Sequence, residues 1–451
     1  MLKVSELLKA TQGKLLSGSA HTIIKGIAID SRLIKPGEAF IAIKGDKFDG
    51  HKFIDEAIKK GARVVISQTR GREIPEAVGF IKVKDTTQAL GDIAKFYREK
   101  FSLPVICVTG SNGKTTTKDM IAWILAKKFK VLKNIGTQNN HIGLPMTLLK
   151  LDSSYKAVVL EAGTNHPGEI EYLTRIAQPT IGIITTIGPS HLEHLKSVAN
   201  IFKEKVSLLK YLKHPYFAIL NADDSLLKKV VLRKSKKSFI FSFGIKQKAD
   251  VAASNVKIIN GGINFIVNDK YSFRLRTLGR HNISNSLAAI FTSRILGIDY
   301  KDISRRLKSF DFPQGRLKVL EMDKIKFIDD TYNSNPLSLK HALDVLADLE
   351  TKGRKIFVMG DMLELGLQAE LFHHQAGEIL ADICDTLVTV GKLSGLAAKS
   401  AKSLGFNAAN IFNCADALQA REILFKHIAP KAGDIVLVKG SRSMKMEGVF
   451  K

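Results

Sequence analysis

Short apolar runs alternate with stretches of helical spacing along most of the chain. In the central part, each run ends in polar residues and is followed by a stretch with the spacing of an amphipathic helix. These runs occupy residues 105–109, 157–161, 180–187 and 216–221. Buried strands that alternate with helices are typical of a parallel sheet covered by helices. The pattern predicts an α/β fold in which the first central strand leads to a helix starting near Thr116.

The first hundred residues carry a separate pattern. Their β-like runs lie at 23–29, 39–43 and 63–67. A helical stretch follows at 86–100, and Pro104 marks a junction with the central part. The pattern predicts a small N-terminal α/β domain of residues 1–100.

The alternation changes again after the central strands. Residues 250–275 alternate apolar and polar positions, which predicts antiparallel strands inserted in the domain, and a helix follows at 282–296. A third series of strand and helix units then begins. Its apolar runs lie at 325–329, 355–359, 386–390 and 435–438. We therefore predict three α/β domains, the second spanning 101–314 and the third 315–451.

The bulk composition narrows the class of protein. A chain of 451 residues is too long for one hydrophobic core, and its 45% hydrophobic content fits a globular protein. The sequence contains no apolar run long enough to span a bilayer and no signal peptide at its N-terminus. Cys107, Cys384 and Cys414 are scattered without metal-binding spacing. We expect a cytoplasmic protein with buried thiols and no membrane insertion.

The net charge of +26 favours anionic partners. Such a charge raises the hypothesis of nucleic-acid binding. The lysines are dispersed, however, and the sequence has no helix-turn-helix, zinc-finger or RNA-recognition signature. We therefore expect anionic substrates and no specific nucleic-acid partner.

The most informative motif follows the first central strand. The predicted ATP-binding residues of this loop are Gly110, Ser111, Asn112, Gly113, Lys114, Thr115 and Thr116. Glycines let backbone N–H groups approach phosphate oxygens, a lysine supplies positive charge, and a threonine hydroxyl can bind Mg²⁺. The loop is shorter than the common G-x-x-x-x-G-K-[ST] form, because Val108 stands where the first glycine would be. The motif predicts ATP as a ligand.

Polar side chains also stand at the ends of later strands. Glu161 and Asp330 follow apolar runs directly, and His191 comes shortly after another run. In open α/β sheets, residues at the carboxyl ends of strands face the ligand crevice. This placement favours Glu161 as a Mg²⁺ ligand over a helix cap. For His191 it leaves a metal-binding and a structural role open, and for Asp330 a ribose-binding role and a helix cap.

Two further segments are rich in groups that bind polar ligands. Residues 134–145 concentrate amide side chains, among them Asn139 and Asn140, which suit uncharged polar groups but also form turns. Lys439 and Arg442 follow the last apolar run, where they could bind a carboxylate or a phosphate. Nothing in the sequence resembles a Ser-His-Asp nucleophile elbow or a G-x-G-x-x-G motif. Hydrolase and oxidoreductase functions therefore have no support.

Together these segments resemble one known family, the Mur ligases of peptidoglycan synthesis. The matching segments, in order along nearly the whole chain, are 29–32, 36–37, 49–51, 109–116, 134–145, 161–169, 191–193, 279–282, 315–316, 329–336, 359–366 and 438–446. The resemblance implies a UDP-substrate domain, an ATPase domain with a phosphate loop and a Rossmann-like domain. The blocks Asp-Asp-Thr-Tyr-Asn-Ser-Asn-Pro at 329–336 and Gly-Asp-Met-Leu-Glu-Leu-Gly at 360–366 favour the branch that adds D-alanyl-D-alanine to UDP-N-acetylmuramoyl-tripeptide.

The resemblance implies an ATP-dependent amide-bond ligase. In this family the γ-phosphoryl group of ATP passes to a peptide carboxylate, and an incoming amine then attacks the acyl phosphate. By resemblance, Lys114 holds the phosphates and Asn282 packs on the adenine. Arg316 and Asp330 are expected to reach the nucleotide from the third domain.

A metal site with an unusual ligand is implied in the same way. Thr115, Glu161 and His191 would serve two Mg²⁺ sites, and a lysine carbamylated by CO₂ would supply a further carboxylate. Counting from His191 assigns that lysine to Lys205, with Lys203 as a nearby competitor. Here the chain reads Glu-Lys-Val-Ser, whereas the family usually reads Ala-Lys-x-Glu.

The implied substrate ligands lie in all three domains. Ser31 and Arg32 mark the uridine-binding segment. The other implied substrate-binding residues are Asn139, Asn140, Asn333, Asn335, Lys439 and Arg442. We expect a monomer, because nothing in the sequence indicates a partner subunit. Since two domains must hold ATP, the third domain is expected to close on the nucleotide about hinges near 100–104 and 312–316.

Two alternatives remain open on the sequence alone. The first is a sister ligase that adds diaminopimelate or lysine to the dipeptide precursor, or a folylpolyglutamate synthase. The block at 329–336 argues against the sister ligases. The second is a nucleotide-gated binding protein that has lost catalysis. Against it stands the presence of the residues expected for catalysis, namely Lys114, Thr115, Glu161 and His191. The sequence does not distinguish a tripeptide ending in diaminopimelate from one ending in lysine.

Overall fold

Three β-sheets with flanking helices make up the protein. The structure, a computed structural model, describes residues 1–45, 48–69, 74–232, 239–259 and 261–450. Among these residues the sheets have five, nine and six strands, and a two-stranded ribbon lies near the N-terminus. No described helix is long and apolar enough to cross a bilayer. The predicted α/β fold with three domains is confirmed, whereas the exact boundaries between the domains remain predictions.

The N-terminal domain is built on the five-stranded sheet. The described strands of this domain are β1 (Leu2–Lys3), β2 (Lys14–Ser17), β3 (Ile23–Ile24), β4 (Ile27–Ala28), β5 (Ala39–Ile41), β6 (Val64–Ser67) and β7 (Gly79–Lys82). Its helices are α1 (Val4–Thr11), α2 (Ile54–Lys59) and α3 (Thr86–Glu99). The sheet order is β2-β7-β6-β5-β4, with β2 antiparallel to β7 and the other pairs parallel, while β1 and β3 form the ribbon.

The prediction of one β-run at 23–29 is wrong. The run divides into β3 and β4, which belong to the ribbon and to the five-stranded sheet respectively. The break contains Gly26, where an added Cβ would come within 2.8 Å of Glu38 Oε1. Glycine thus permits the chain to pass close to Glu38 as it moves from one sheet to the other.

The central domain contains the nine-stranded sheet. Its strands are β8 (Val105–Thr109), β9 (Val131–Lys133), β10 (Ala157–Glu161), β11 (Ile181–Ile184), β12 (Phe217–Asn221), β13 (Ile240–Gly244), β14 (Val251–Ile259), β15 (Gly262–Val267) and β16 (Tyr271–Leu275). Its helices are α4 (Lys114–Leu125), α5 (Gly143–Leu148), α6 (Glu169–Ala177), α7 (Leu192–Leu195), α8 (Val198–Val206), α9 (Ser225–Leu232), α10 (His281–Ile295) and α11 (Tyr300–Lys308). The order is β16-β15-β14-β13-β12-β11-β8-β10-β9.

Strand β8 lies inside this sheet and is buried on both faces. Val105 and Cys107 belong to one hydrophobic cluster, and Ile106 and Val108 belong to another on the opposite face. Both faces of a central parallel strand are covered, which explains its continuous apolar sequence. The phosphate loop therefore begins at the carboxyl end of a strand in the interior of the sheet.

Three details of the central domain differ from the sequence-based expectations. The antiparallel strands predicted at 250–275 are present, but β14 pairs parallel with β13, so they extend the main sheet at its end. Residue 260 of that stretch lies outside the described residues. The run at 180–187 stops being a strand at Ile184. Helix α4 begins at Lys114, because Gly113, with a φ of +81°, ends the loop directly before it.

The C-terminal domain contains the six-stranded sheet. Its strands are β17 (Lys318–Met322), β18 (Ile325–Asp330), β19 (Lys355–Gly360), β20 (Thr386–Val390), β21 (Ile411–Cys414) and β22 (Ile435–Lys439). Its helices are α12 (Pro336–Asp348), α13 (Ala369–Leu380), α14 (Ser394–Ser403) and α15 (Ala417–Glu422). The order is β17-β18-β22-β19-β20-β21, with only β17 antiparallel to its neighbour.

The central and C-terminal domains share part of one hydrophobic core. A single cluster contains Ile187 and Leu192 of the central domain together with Leu339 and Met362 of the C-terminal domain. Burial of apolar surface between domains favours a closed arrangement. The carboxyl ends of strands from both sheets consequently meet at one inter-domain cavity.

Trp123 lies near the end of α4, the helix that follows the phosphate loop. Its indole Nε1 donates a hydrogen bond to the backbone oxygen of Arg306 at 2.8 Å. The Arg306 guanidinium lies 3.7 Å from the ring centroid and donates to the Trp123 carbonyl. These contacts fix α4 against α11 by hydrogen bonds and a cation–π interaction.

Candidate active site

The phosphate loop is held in place by close backbone contacts. Gly110 has a φ of +149°, and an added Cβ would lie 1.9 Å from Thr185 Oγ1. Gly113 has a φ of +81°, and an added Cβ would lie 2.2 Å from Asn285 Oδ1. A side chain at either position would clash and would strain the backbone. The two glycines of the motif are therefore required by the loop's own packing as well as by ligand approach.

Lys114 folds back onto this loop. Its Nζ donates to the carbonyl oxygens of Gly110 at 2.8 Å and Ser111 at 3.2 Å. Burial lowers the pKa of Lys114, an effect that the negative charge of Glu161 opposes. The ammonium group is thus already placed beside the loop, with backbone carbonyls as its partners.

Glu161 ends β10 and is almost completely buried, with 3% of its surface exposed. Its Oε2 accepts a hydrogen bond from Thr115 Oγ1 at 2.7 Å, and its Oε1 accepts one from Asn139 Nδ2 at 2.8 Å. Asn134 binds the Glu161 backbone through both ends of its amide, at 2.9 Å each. The carboxylate is therefore fixed next to the threonine hydroxyl of the loop.

Three charged side chains of the C-terminal domain lie on the opposite side. Arg316 Nη2 donates to Thr115 Oγ1 at 3.0 Å and its guanidinium lies 4.1 Å from the centre of the Tyr332 ring. Lys439 Nζ donates to Asp330 Oδ2 at 2.6 Å. Burial raises the pKa of Asp330, and the neighbouring Lys439 opposes that rise. Thr115 is consequently hydrogen-bonded to Glu161 of the central domain and to Arg316 of the C-terminal domain.

His191 and Lys205 occupy different surroundings. His191 has a φ of +52° and precedes α7, and its Nδ1 lies 2.6 Å from Glu364 Oε2 of the C-terminal domain. Lys205, in α8, is 1% exposed. Burial lowers the pKa of Lys205 well below its ordinary value, and the charge of Lys114 acts in the same direction.

Asn282 and two stacked histidines border the cavity next to the loop. Asn282 Oδ1 accepts from Asn285 Nδ2 at 2.9 Å. The rings of His281 and His341, from the central and C-terminal domains, stack with centroids 4.6 Å apart. Burial lowers the pKa of His341 to about 4 and lowers the pKa of His281 well below its usual value. Neutral imidazoles therefore form this part of the domain contact.

The cavity between the two domains has a volume of about 540 Å³. The predicted site residues that line it are Ser111, Asn112, Gly113, Lys114, Thr115, Thr116, Asn139, Asn140, Glu161, His191, Asn282, Arg316, Asp330, Asn333, Asn335 and Lys439. The structure thus brings together in one cavity residues that are more than 300 positions apart in sequence. Gly110, the first residue of the loop, and Lys205, which is almost completely buried, are not part of its lining.

Three predicted substrate residues lie elsewhere. Ser31 Oγ donates to Glu56 at 3.1 Å, and the exposed Arg32 binds Asp30 at 2.7 Å, both in the N-terminal domain. Arg442 Nη1 lies 3.1 Å from Glu447 Oε1, away from the cavity lining. The backbone N–H of Arg442 nevertheless donates to Oδ1 of Asn333, a residue of the cavity lining, at 3.2 Å, and a role of Arg442 in substrate binding stays a prediction.

Two predicted ligands also have structural tasks. Asn335 caps α12, because its Oδ1 accepts from Ser338 N at 2.9 Å, and its amide pairs with that of Asn112 across the domain contact. Asn140 Oδ1 accepts from the backbone N–H of Gly143, the first residue of α5, at 2.9 Å. Amide side chains can make such bonds and still offer further polar atoms to a ligand.

The residues suit a Mg²⁺ ion at one place. Oxygens of Glu161 and Thr115 lie 2.7 Å apart in a buried position, and hard oxygen ligands of this kind are those that Mg²⁺ prefers. Within the described part of the chain, no three or more His, Cys, Asp and Glu side chains form a cluster able to hold a metal. The second ion that the resemblance assigned to His191 and a modified Lys205 stays a prediction.

Sequence reasoning gave no separate role to Asn134, to Glu364 or to the stacked pair of His281 and His341. Asn134 was visible as the first residue of the amide-rich segment, and Glu364 as part of the block at 360–366. The pairing of Glu364 with His191, and of His281 with His341, joins positions that no local pattern connects. Only the fold shows these contacts.

Three family models match the chain in sequence. The model described as Mur ligase family, catalytic domain, matches residues 23–98, and the Mur ligase middle domain matches 108–293. The model described as Mur ligase, glutamate ligase domain, matches 315–442. Together these matches cover most of the chain in the order of its three sheets.

Individual relatives span nearly the whole chain. The UDP-N-acetylmuramoyl-tripeptide--D-alanyl-D-alanine ligase of Bacillus subtilis is 35% identical over 454 residues, covering 99% of this chain and 96% of that protein. MurF from Acinetobacter baumannii has a similar structure, with a TM-score of 0.90, 33% identity and coverage of 99% and 97%. The MurF ligase of Thermotoga maritima in complex with ADP has a TM-score of 0.83, 29% identity and coverage of 94% and 96%.

Proposed function

The chain belongs to the Mur ligase family, and we propose that it joins D-alanyl-D-alanine to UDP-N-acetylmuramoyl-tripeptide with ATP. One observation carries this function. The phosphate loop with Glu161, and Arg316 with Asp330 and Lys439 from the next domain, line the same cavity. Such an arrangement can hold a nucleotide from both sides while leaving room for a carboxylate.

The protein's own residues position the reactants and balance charge. The loop N–H groups and the N-terminus of α4 face the phosphates, and Lys114 would exchange its carbonyl partners for phosphate oxygens. The γ-phosphoryl group is then transferred to the tripeptide carboxylate as its bond to ADP breaks. Arg316, already bonded to Thr115, neutralises the charge that spreads over the transferred group.

The second half of the reaction forms the amide. The free amine of D-alanyl-D-alanine attacks the acyl phosphate and a C–N bond forms. Phosphate leaves with the bonding electron pair of the C–O bond, and the nitrogen releases one proton to solvent. The amide-bearing Asn139 and Asn140 at the cavity lining can orient the peptide groups of the substrate. Ser31 and Arg32 of the N-terminal domain are proposed to hold the uridine part.

Mg²⁺ is proposed to bind at Glu161 and Thr115, with His191 and Lys205 serving a second ion. When bound, Mg²⁺ neutralises phosphate charge and orients the phosphoryl group. The low pKa of the buried Lys205 supports its carbamylation, because only the neutral amine adds to CO₂, releasing a proton and leaving a carboxylate. We also propose a cytoplasmic monomer that closes on its nucleotide.

Phosphate release from ATP tests the function. We expect release that depends on both UDP-N-acetylmuramoyl-tripeptide and D-alanyl-D-alanine, with the amide product confirmed by mass spectrometry. Release with the dipeptide precursor and free diaminopimelate or lysine would instead identify the sister ligase. Nucleotide binding without release under any of these conditions would identify a non-catalytic protein. A panel of tripeptides ending in diaminopimelate or lysine then defines the substrate.

A further inference from the structure

The segment 359–366 has no role in the proposed mechanism, although it is prominent in the sequence. It begins at the end of β19, and two of its side chains, Met362 and Leu365, are 0% and 1% exposed. The backbone N–H of Leu363 donates to Ser441 Oγ at 2.8 Å. These contacts anchor the segment in the C-terminal domain.

Glu364 connects this anchored segment to the central domain. Its φ is +63°, in the left-handed region that a non-glycine residue rarely adopts. Its Oε2 lies 2.6 Å from Nδ1 of His191, and its backbone oxygen accepts from the N–H of Glu193 at 3.0 Å. An added Cβ on Gly366 would lie 3.1 Å from Glu193 Cα, so the two backbones meet closely here. Side chain and backbone together fix Glu364 opposite His191.

The contact determines which nitrogen of His191 is available. A carboxylate beside Nδ1 favours a proton on that atom, which leaves the lone pair on Nε2. Metal-binding histidines commonly donate their other ring N–H to a carboxylate, which fixes the ring and raises its basicity. His191 borders the cavity, whereas Glu364 is anchored by the other domain.

We propose that Glu364 is a positioning residue that sets the tautomer and orientation of His191 for metal binding, and that this carboxylate is supplied by the C-terminal domain. The role deepens the proposed function, since it rests on His191 as a Mg²⁺ ligand. It also gives the Gly-Asp-Met-Leu-Glu-Leu-Gly block a task, namely to carry one acid across the domain contact. Metal affinity in the central domain thereby depends on a residue of its neighbour.

Substitutions of Glu364 test this role in the full-length protein. In Glu364→Ala we expect the imidazole ¹⁵N spectrum of metal-free protein to change at His191 from one tautomer to a mixture. Mn²⁺ binding in the presence of ADP, measured by electron paramagnetic resonance, should weaken about 10- to 100-fold. Glu364→Gln should have a smaller effect, because its amide oxygen can still accept from Nδ1–H. This variant also preserves side-chain size if the alanine variant fails to fold.

Glu193→Gln is the matched control. It removes an exposed acid at the same domain contact and leaves the backbone bond to Glu364 in place. Its tautomer and Mn²⁺ affinity should equal those of the wild type. A Glu364 variant that folds and keeps both properties would overturn the positioning role, as would an unchanged Mn²⁺ affinity in His191→Ala. A third outcome separates the two proposals. If the Glu364 variants lose Mn²⁺ affinity and the single tautomer while the wild type shows no ligation activity, the positioning role is supported and the proposed function is rejected.

Discussion

Lys205 and Lys439 are both almost completely buried, yet their surroundings are opposite. Lys439 Nζ donates to the Asp330 carboxylate at 2.6 Å and to the Asn333 oxygen at 2.9 Å. Burial, together with the charge of Lys114, lowers the pKa of Lys205, and the charges of Glu204 and Glu161 oppose that shift. A buried ammonium with a carboxylate remains a stable ion, whereas one near another cation is favoured as a neutral amine. The comparison contrasts a lysine held in an ion pair with one that we propose to react with CO₂.

Glu204, the residue before Lys205, makes its hydrogen bonds to another element, although its charge opposes the lowering of the Lys205 pKa. Its two carboxylate oxygens accept from the backbone N–H groups of Gly168 and Ile170, at 2.7 and 2.8 Å. These donors belong to the N-terminus of α6, a favourable place for an acid. The acid adjacent to Lys205 in sequence is therefore engaged by another element.

The largest expected effect tests the reactive lysine. Lys205→Ala should reduce ligation at least about 100-fold, because it removes a charge-stabilising group from the site. Added short-chain carboxylic acids should restore part of the activity by replacing the lost carboxylate. Steady-state phosphate release measures both. Lys203→Ala, at an exposed position two residues earlier, is the control and should remain active. Near-normal activity of Lys205→Ala would remove the difference between the two lysines.

The next effect tests the structural lysine. Lys439→Met leaves the Asp330 carboxylate buried without its partner and should cost about 3–5 kcal/mol of unfolding free energy. The folded pKa of Asp330, already raised by burial, would then rise further. Because the folded form would hold that proton more tightly than the unfolded form, the loss should be greatest at high pH and shrink as the carboxyl group protonates. Denaturant titrations at several pH values measure this.

The double variant Lys439→Met with Asp330→Leu is the control for that prediction. Replacing both members of a buried pair by apolar groups should recover much of the lost stability. If the single variant were as stable as the wild type at high pH, Lys439 would not be held by its carboxylate as the structure indicates.

A smaller effect concerns the way the C-terminal domain reaches the phosphate loop. Arg316→Ala removes the bond to Thr115 and should weaken binding of a non-hydrolysable ATP analogue about 10-fold. Isothermal titration calorimetry measures the affinity. Arg442→Ala is the matched control, because Arg442 pairs with Glu447 outside the cavity lining. Equal losses in both variants would show that the bond from Arg316 to Thr115 has no special part in nucleotide binding.

The smallest effect separates the two tasks of Asn335. Asn335→Ala removes the cap of α12 and should cost about 1 kcal/mol of stability. Asn335→Asp retains an acceptor for the Ser338 N–H and loses the amide donor to Asn112. We therefore expect Asn335→Asp to keep its thermal stability and to weaken nucleotide binding modestly. Equal melting temperatures for the alanine and wild-type proteins would contradict the capping role.

The sequence predicted the parts of the site that depend on local order. The strand Val105–Thr109, the glycine-bounded loop and the acid at Glu161 are each encoded within a few residues, and strand ends must meet at one sheet edge. Placement of Thr115 and Glu161 beside one cavity follows from that rule, whereas Arg316, which precedes β17, was assigned to the site only by resemblance.

Contacts between domains could not be predicted from local pattern. His191 and Glu364 are 173 positions apart, and Asn112 and Asn335 are 223 positions apart. Their pairing depends on how two sheets pack, which hydrophobic periodicity does not encode. The pairing of Arg442 with Glu447 was likewise not predicted from the sequence.

Trp123, packed beneath Arg306, is the single tryptophan of the chain. Indole emission from this protein therefore comes entirely from α4, the helix that follows the phosphate loop. Fluorescence-monitored unfolding will follow the central domain, while circular dichroism averages over all three. A difference between the two transition curves would reveal stepwise unfolding. A spectral shift on adding nucleotide would report movement of α4 against α11 without any introduced dye.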